Sequence, residues 1–170
     1  MNNETDNASA SVRYKGVETN FSGSPEEVWL SLKNFFNEFV PSFKIAEALT
    51  LNIDLQKLVS DCEEIIAFSP EGPNLLVSRN KLTDNETLAL WLLAHYVGYQ
   101  LNMLKSCAVP KEELQIKLGK SSKIASTRIG ELVKNEIIAK AADEKYEITT
   151  FGVSQIQKEI LPRVKSKIHV

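Results

Sequence analysis

One predicted helical face near the C-terminal end combines cationic and hydroxyl side chains without an acidic residue. Its members recur at spacings of three and four residues, and they are Lys123, Thr127, Gly130 and Lys134. The opposite face of the same segment is apolar and is predicted to pack inward through Ala125, Ile129, Leu132 and Val133. Ammonium and hydroxyl groups in this arrangement provide charge neutralisation and hydrogen bonds, which is non-covalent recognition of an anionic partner.

The charge of the whole chain is divided between its two parts. The formal net charge of 170 residues is −2. Residues 1–100 hold seven Lys and Arg against 14 Asp and Glu, whereas residues 101–170 hold 13 against eight. An acidic part followed by a basic part indicates two tasks, one of them electrostatic. The acidic N-terminal part is then a candidate site for a protein partner.

Motifs that would support catalysis are missing from the sequence. Ser22-Gly23-Ser24 lacks the G-x-S-x-G pattern of a nucleophile elbow, and the acids around Cys62 are explained by a solvated loop. Neither a P-loop, an HExxH motif nor a Gly-rich dinucleotide loop occurs, and the cysteines have no metal-ligand spacing. We therefore expect a protein that is not an enzyme and that needs no cofactor and no metal.

Cysteine usage and hydropathy predict a cytoplasmic protein. Cys62 and Cys107 are expected to be reduced, although a single disulfide bond between them is formally open. Residues 1–11 have neither the basic start nor the apolar core of a signal peptide, and they are predicted to be a disordered polar tail. The apolar run Leu88–Leu104 is interrupted by polar residues and is shorter than the ~20 residues of a spanning helix, so no membrane span is expected.

The N-terminal half predicts an α+β domain over residues 12–82. Val12–Phe21 alternates loosely and predicts an edge strand, and Ser24 with Glu27 forms a capping box for a helix that ends at Pro41. A strand at Leu49–Ile53 and a short helix capped by Asp54 follow. The apolar runs Ile65–Phe68 and Leu75–Val77, separated by a turn rich in Pro and Gly, predict a β-hairpin.

A linking helix over residues 83–104 is predicted by a second capping box, Thr83 with Glu86. The segment is apolar nearly all round, so it must be covered on most sides. Two arrangements satisfy this requirement: a central post inside the chain, or a seam through which two copies form a homodimer. His95 within the helix is expected to be a core histidine whose hydrogen bonds are satisfied.

The segment 105–170 predicts a succession of helix, turn, helix, hairpin and helix. The elements are a helix at Lys111–Leu118, a left-handed cap at Gly119, a helix over 122–134 capped by Ser121 or Ser122, strands at Ile137–Ala142 and Tyr146–Thr150, and a closing helix at Phe151–Val164 that breaks near Pro162. The fold class is therefore α+β, with a compact C-terminal domain.

This C-terminal succession resembles winged helix-turn-helix domains, especially MarR-like regulators of bacteria and archaea. The likeness covers about the last 70 residues and rests on LQIKLGKSSKIASTRIGELVKNEIIAKAADEKYEITTFGVSQI. Within it, the ending from Tyr146 to Gly152 matches the Y-x-[IL]-T-x-x-G pattern of many wings. The resemblance implies a transcription regulator whose second helix, 122–134, enters the major groove of duplex DNA while the wing contacts the backbone or the minor groove.

The resemblance implies specific contacts for residues of this chain. Base edges would be faced by Lys123, Ser126, Thr127 and Gly130. Phosphates would be met by Lys120, Arg128 and Lys134, and Ser122 and Lys145 complete the set. The lack of a side chain at Gly130 would let the helix approach the groove closely.

Two departures from the family pattern leave an alternative function open. The wing tip Asp143-Glu144-Lys145 has a net charge of −1 where such wings carry Arg or Lys, and Asn135-Glu136 stands where a glycine is usual, Asn135 being able to take the left-handed conformation. A winged helix can also serve as an adaptor for protein or ribonucleoprotein contacts without binding duplex DNA. An adaptor would expose an apolar patch, whereas DNA binding requires free cations on one face and a dimer with two such faces ~34 Å apart.

Overall fold

A computed structural model describes residues 7–168, except for the side chains of Pro41, Lys44, Glu47 and Ala48. The chain divides into two compact units, Met1–Thr50 and Leu51–Val170. Helices and small antiparallel sheets occur in both parts of the chain, which makes the fold α+β. The first six residues of the predicted tail lie outside the described residues. The tail prediction is wrong from Ala8 onward, because this segment is a strand.

The N-terminal unit begins with a β-hairpin where the sequence predicted only one edge strand. Strands β1 (Ala8–Tyr14) and β2 (Val17–Gly23) pair antiparallel, with Tyr14 opposite Val17. Lys15 and Gly16 form the two-residue turn, and their φ angles are 49° and 84°. Positive φ at both positions is the geometry of a type I′ turn, whose twist matches that of the strands it joins.

Two helices follow the hairpin and complete this unit. Helix α1 (Pro25–Phe39) begins with the expected capping box, and it buries Val28 and Phe35. The ring of Phe35 packs against Phe21 of β2 at a centroid distance of 6.2 Å. A second helix, α2 (Pro41–Leu49), starts directly after α1. The strand predicted at Leu49–Ile53 is wrong, since α2 takes up its first residue and no strand is assigned to the rest.

The second unit opens with a helix and a small hairpin. Helix α3 (Leu55–Cys62) is capped by Asp54, as expected, and strands β3 (Ile66–Ser69) and β4 (Gly72–Leu75) pair antiparallel. The hairpin prediction is confirmed, but the second strand begins three residues earlier than predicted. Only Pro70 and Glu71 lie between the strands, so the turn is shorter than its composition suggested.

Helix α4 (Asp84–Gln100) runs through the core of this unit. It follows a 3₁₀ turn at Arg79–Lys81, and eleven of its 17 residues are buried. The surrounding elements are α3, β4 and parts of the C-terminal segment. The helix ends four residues before Leu104, the predicted end, and Asn102 beyond it takes a left-handed φ of 56°. Residues 51–82 were predicted to belong to the N-terminal domain. They instead share a hydrophobic core with α4 and the C-terminal segment.

The C-terminal segment contains two helices, a small sheet and a closing helical stretch. Their bounds are β5 (Val109–Pro110), α5 (Lys111–Leu118), α6 (Ser122–Lys134), β6 (Ile138–Lys140) and β7 (Lys145–Ile148), then α7 (Thr150–Gln155), a π-helical turn at Ile156–Ile160 and α8 (Leu161–Ile168). The sheet is antiparallel in the order β5-β7-β6. Strand β5 lies where the sequence predicted only a connection.

The predicted break of the closing helix near Pro162 is wrong. The helical path continues to Ile168, and the wider π turn comes directly before α8, in which Pro162 is the second residue. Proline lacks the N–H that a regular α-helix would use there, and a local change in winding accommodates this loss. The strands predicted at Ile137–Ala142 and Tyr146–Thr150 are confirmed with other bounds: β6 is shorter at both ends, and β7 begins one residue earlier, at Lys145, and ends at Ile148.

A close backbone contact joins the end of the hairpin to the helix after it. Thr149 caps α7 by accepting a hydrogen bond from Gly152 N–H at 2.8 Å. Its hydroxyl also donates to the carbonyl of Glu136 at 2.6 Å. A β-carbon at residue 152 would collide with the carbonyl of Ile137. The final glycine of the Tyr146–Gly152 motif is therefore required by packing.

The first turn of α4 is tied to α8 through a buried carboxylate. Glu86 is 3 % exposed and forms two salt bridges. Its Oε1 lies 2.8 Å from Nη2 of Arg163, and its Oε2 lies 3.3 Å from Nζ of Lys167. Burial raises the pKa of Glu86, but the backbone N–H of Thr83 and the ammonium of Lys167 together hold this pKa below its ordinary value. The carboxylate therefore stays charged and holds the C-terminal helix against the core.

Candidate nucleic-acid interface

Helix α6 has the bounds that the sequence predicted for the groove-entering helix. Ser121, and not Ser122, is its cap: the hydroxyl of Ser121 accepts a hydrogen bond from Ile124 N–H at 3.4 Å. Gly119 ends α5 with a φ of 56°, as expected. Ser122 is the first helical residue and is exposed. Local signals define where α6 begins, because a glycine turn and a serine cap mark its start.

The polar side of α6 is exposed along its whole length. Lys123, Thr127, Gly130 and Lys134 all lie on the surface, and they are called the basic face below. The core side is formed by Ala125, Ile129 and Leu132. Val133 was predicted to be buried with them, which is wrong, since it is 38 % exposed. Ser126 is partly exposed at the margin of the basic face.

Two members of the basic face have local features that bear on recognition. A β-carbon at Gly130 would meet nothing within 4 Å, so no packing contact inside the protein requires a glycine there. A mid-helix glycine costs up to ~1 kcal/mol relative to alanine. The hydroxyl of Thr127 donates to the carbonyl of Lys123 at 2.9 Å, which leaves its oxygen able to accept a hydrogen bond from a ligand.

Arg128 is engaged within the protein. Its Nη1 lies 2.9 Å from Oε1 of Glu131, and its Nε lies 3.6 Å from Oδ2 of Asp84. Hydrogen bonds from Asn85 and Arg128 lower the pKa of Glu131, so this carboxylate remains charged near neutrality. The guanidinium is therefore paired with two carboxylates of its own protein, which offset its charge.

Lys120 and Lys145 occupy different surroundings. Lys120 is exposed in the turn between α5 and α6, whereas Lys145 is partly buried at the start of β7. Lys145 lies next to the acidic turn residues Asp143 and Glu144, both of which have a φ of 55°. Glu144 is paired with Lys140 at 3.2 Å. The predicted wing tip is therefore an acidic turn in which one carboxylate, that of Glu144, is paired with a lysine of β6.

Arg79 is a cation near this surface that sequence reasoning missed. It belongs to the 3₁₀ turn before α4, yet its guanidinium lies against Gly119 in the turn between α5 and α6. The sequence contains no signal for this contact, because the two residues are far apart in the chain. Only the packing of α4 against α5 brings them together.

His95 forms a polar contact between α4 and α5. Its Nε2 lies 3.4 Å from Oε1 of Glu113, without the geometry of a hydrogen bond, and it is buried. The expectation of a core histidine with satisfied hydrogen bonds is therefore wrong for this nitrogen. Burial lowers the pKa of His95 below 6.5, Glu113 raises it, and Lys117 lowers it again. The ammonium nitrogen of Lys117 itself lies over the ring of Trp91, 4.2 Å from the ring centroid.

Other chemistry-bearing groups do not converge. Cys62 and Cys107 are not bonded to each other, and burial raises the pKa of the Cys62 thiol to about 12. Within residues 7–168 no three His, Cys, Asp or Glu side chains are placed to hold a metal ion. In the same part of the chain, no helix has the length and apolar character needed to cross a bilayer.

Comparison with known proteins finds no relative of this chain. The chain matches no protein-family model, and no characterised protein or solved structure is significantly similar to it. Inference about function therefore depends on the residues of this chain and on their geometry.

Proposed function

We propose that this protein is a winged-helix DNA-binding protein, a transcription regulator that places α6 in the major groove of duplex DNA. The observation that carries the proposal is the basic face. Lys123, Thr127, Gly130 and Lys134 are all exposed on one side of α6, and no acidic residue lies among them. The arrangement of β5, α5, α6 and the β6–β7 hairpin supports the same assignment.

The length of the basic face suits the dimensions of the groove. Lys134 follows Lys123 by eleven residues, and a rise of 1.5 Å per residue places them ~16 Å apart along the helix axis. The major groove is ~12 Å wide, so a helix of this length reaches from one wall to the other. Lys134 and Lys120 then meet phosphates, while Lys123, Ser126 and Thr127 face base edges.

Gly130 and Thr127 lie between the two lysines of the basic face. Because the site of a β-carbon at Gly130 is open, the helix backbone can approach the floor of the groove there. Thr127 offers a hydroxyl oxygen and a methyl group, which suit an amino group and a thymine methyl. Since no residue of the face has the bidentate geometry of Arg, Asn or Gln, we expect modest sequence preference and strong dependence on salt.

The dimer that such a regulator requires would use the end of α4. The middle of this helix is covered by elements of its own unit, whereas Tyr99, Leu101 and Met103 at its exit are 45 %, 40 % and 55 % exposed. The two copies would therefore contact each other at the C-terminal end of segment 83–104 and not along its whole length. In the N-terminal unit, Trp29 and Leu30 are 65 % and 57 % exposed, which suits a protein partner for that unit.

The first experiment is a fluorescence-anisotropy titration of a labelled 30-base-pair duplex at several salt concentrations. We expect binding at ~50 mM salt. Lys134→Gln should weaken it and reduce the salt slope by about 0.9, because a phosphate contact is lost. Lys123→Gln should weaken it through loss of a base-edge contact, with a smaller change in the slope. Lys57→Gln, which removes an exposed lysine from α3, is the matched control and should leave the slope unchanged. Absence of binding by the wild-type protein at ~50 mM salt would reject the proposal.

One observation favours the adaptor function as the second candidate. Ile116 of α5 is 75 % exposed and Ile124 of α6 is 40 % exposed, so the helix-turn-helix carries apolar surface beside its lysines. In an adaptor, these isoleucines would contact a protein partner, and duplex DNA would not bind at any salt concentration. The titration above therefore separates the two functions.

A further inference from the structure

An open depression of about 410 Å³ lies beside the turn between α5 and α6. Its lining includes Arg79 and Asn80 from the 3₁₀ turn, Asp84 from the start of α4, and Gly119 with Lys120 from the turn itself. We refer to it as the Arg79–Lys120 depression. Two segments that are distant in the sequence, residues 79–87 and 119–120, form it, so the folded second unit creates it.

Two cations face this depression without an ion pair of their own. Arg79 and Lys120 are both exposed, and neither contacts a carboxylate within the part of the chain that the structure describes. This distinguishes them from Arg128, whose guanidinium is occupied by Glu131. Asp84 also lines the depression, but its Oδ2 lies 3.6 Å from Nε of Arg128, which offsets its charge.

The position of Arg79 depends on the glycine in the turn. Its Nη1 occupies the space that a β-carbon at residue 119 would need, so the guanidinium rests directly on the backbone of Gly119. A planar guanidinium held at this place can donate two parallel hydrogen bonds to one oxyanion. The ammonium of Lys120, next to Gly119 in the chain, adds a second positive charge at the same rim.

From this geometry we infer that the Arg79–Lys120 depression is a site for a phosphate group, and that in the DNA complex it holds a phosphate of the backbone. The inference rests on the proposed function, because Lys120 directly precedes the cap of α6 and thus joins the depression to the groove-entering helix. Asn80 supplies an amide that can donate a further hydrogen bond. Arg79 is then a DNA contact contributed from outside the helix-turn-helix.

The experiment has two arms that separate the source of the phosphate. In the first, Arg79→Gln and the control Lys57→Gln are titrated with the same 30-base-pair duplex at several salt concentrations. We expect Arg79→Gln to reduce the salt slope by about 0.9 and the control to leave it unchanged. In the second arm, inorganic phosphate is added to the free protein at constant ionic strength, and the amide resonance of Gly119 is followed by NMR.

The outcomes distinguish this inference from the proposed function. A reduced slope for Arg79→Gln supports a backbone phosphate in the depression. A saturable shift of the Gly119 amide that disappears in Arg79→Gln supports the site even in a protein that does not bind DNA, with a free phosphate as its ligand. If Lys134→Gln lowers the slope while Arg79→Gln changes neither the slope nor the response to phosphate, the inference is overturned and the proposed function stands.

Discussion

Nη1 of Arg128 lies within hydrogen-bond distance of both carboxylate oxygens of Glu131, at 2.9 and 3.1 Å. Glu131 also accepts a hydrogen bond from Asn85 of α4 at 2.9 Å. The pair therefore connects α6 to the first turn of α4, and it engages the only arginine of α6 in a contact within the protein. An internal contact thus occupies a residue that the winged-helix pattern assigns to a phosphate.

Glu131→Gln should strengthen duplex binding by freeing Arg128. We expect an affinity several-fold higher at ~100 mM salt and a salt slope steeper by about 0.9, because one more cation becomes available for a phosphate. Glu112→Gln removes the same charge from an exposed position on α5 and serves as the control. Equal effects of the two substitutions would show that only net charge had changed.

Gly130→Ala should change stability and DNA affinity in opposite directions. Since a β-carbon at this position meets nothing within 4 Å, the substitution should raise the free energy of unfolding by about 0.5–1 kcal/mol through better helix propensity. The same methyl group would stand between the helix and the floor of the groove, so duplex affinity should fall. Urea denaturation and the anisotropy titration measure the two quantities. Unchanged affinity in the stabilised variant would contradict close approach at Gly130.

The left-handed residue after α6 is Glu136 and not Asn135, which corrects the sequence expectation. Glu136 has a φ of 59°, whereas Asn135 has a φ of −87°. Glu136→Gly should therefore stabilise the protein by about 1 kcal/mol, because a side chain in this conformation is strained. Asn135→Gly is the matched control and should destabilise it in urea denaturation. The reverse order of the two variants would refute this assignment.

The histidine between α4 and α5 should make the stability of the protein depend on pH. Burial lowers the pKa of His95 in the folded state, so the unfolded chain takes up a proton first as the pH falls below about 6.5. The free energy of unfolding should therefore decrease between pH 7.5 and pH 5.5. His95→Gln should lose less stability over this interval than the wild type.

Glu113→Gln provides the opposite control for this prediction. Because Glu113 raises the pKa of His95, its removal should lower that pKa further and enlarge the loss of stability on acidification. NMR titration of the His95 imidazole measures the pKa directly. A His95 pKa above 6.5 in the folded protein would contradict the sign of both predictions.

The sequence was most informative where a local signal specified the structure. Helix α6 and its polar side were predictable because the glycine turn, the serine cap and the apolar spacing agree within one short segment. The β1–β2 hairpin was missed although Lys15-Gly16 is a turn signal, since its strands alternate only loosely. Helix α2 was missed because a proline was taken only as the end of α1, whereas proline is also suited to the first turn of a new helix.

Long-range packing could not be predicted from these local signals. The pairing of Arg128 with Asp84, and the contact of Arg79 with Gly119, both depend on how α4 packs against the helix-turn-helix. Each bears on the candidate site: the first pairs a cation of α6 with a carboxylate, and the second places a cation beside the turn before α6. The residues of the basic face could therefore be predicted from the sequence. The residues that pack beside it, such as Asp84 and Arg79, could be identified only from the fold.

The length of α4 has a consequence for how two copies would read DNA. Its first turn is bonded to α6, its last turn leads to Tyr99, Leu101 and Met103, and its 17 residues span ~25 Å. In a dimer joined at these residues, the length of α4 would set the distance between the symmetry axis and α6. For the two copies of α6 to lie ~34 Å apart, the axes of the two α4 helices must diverge by roughly 85°. The angle at which two buried helices leave the axis would then set the spacing of the half-sites.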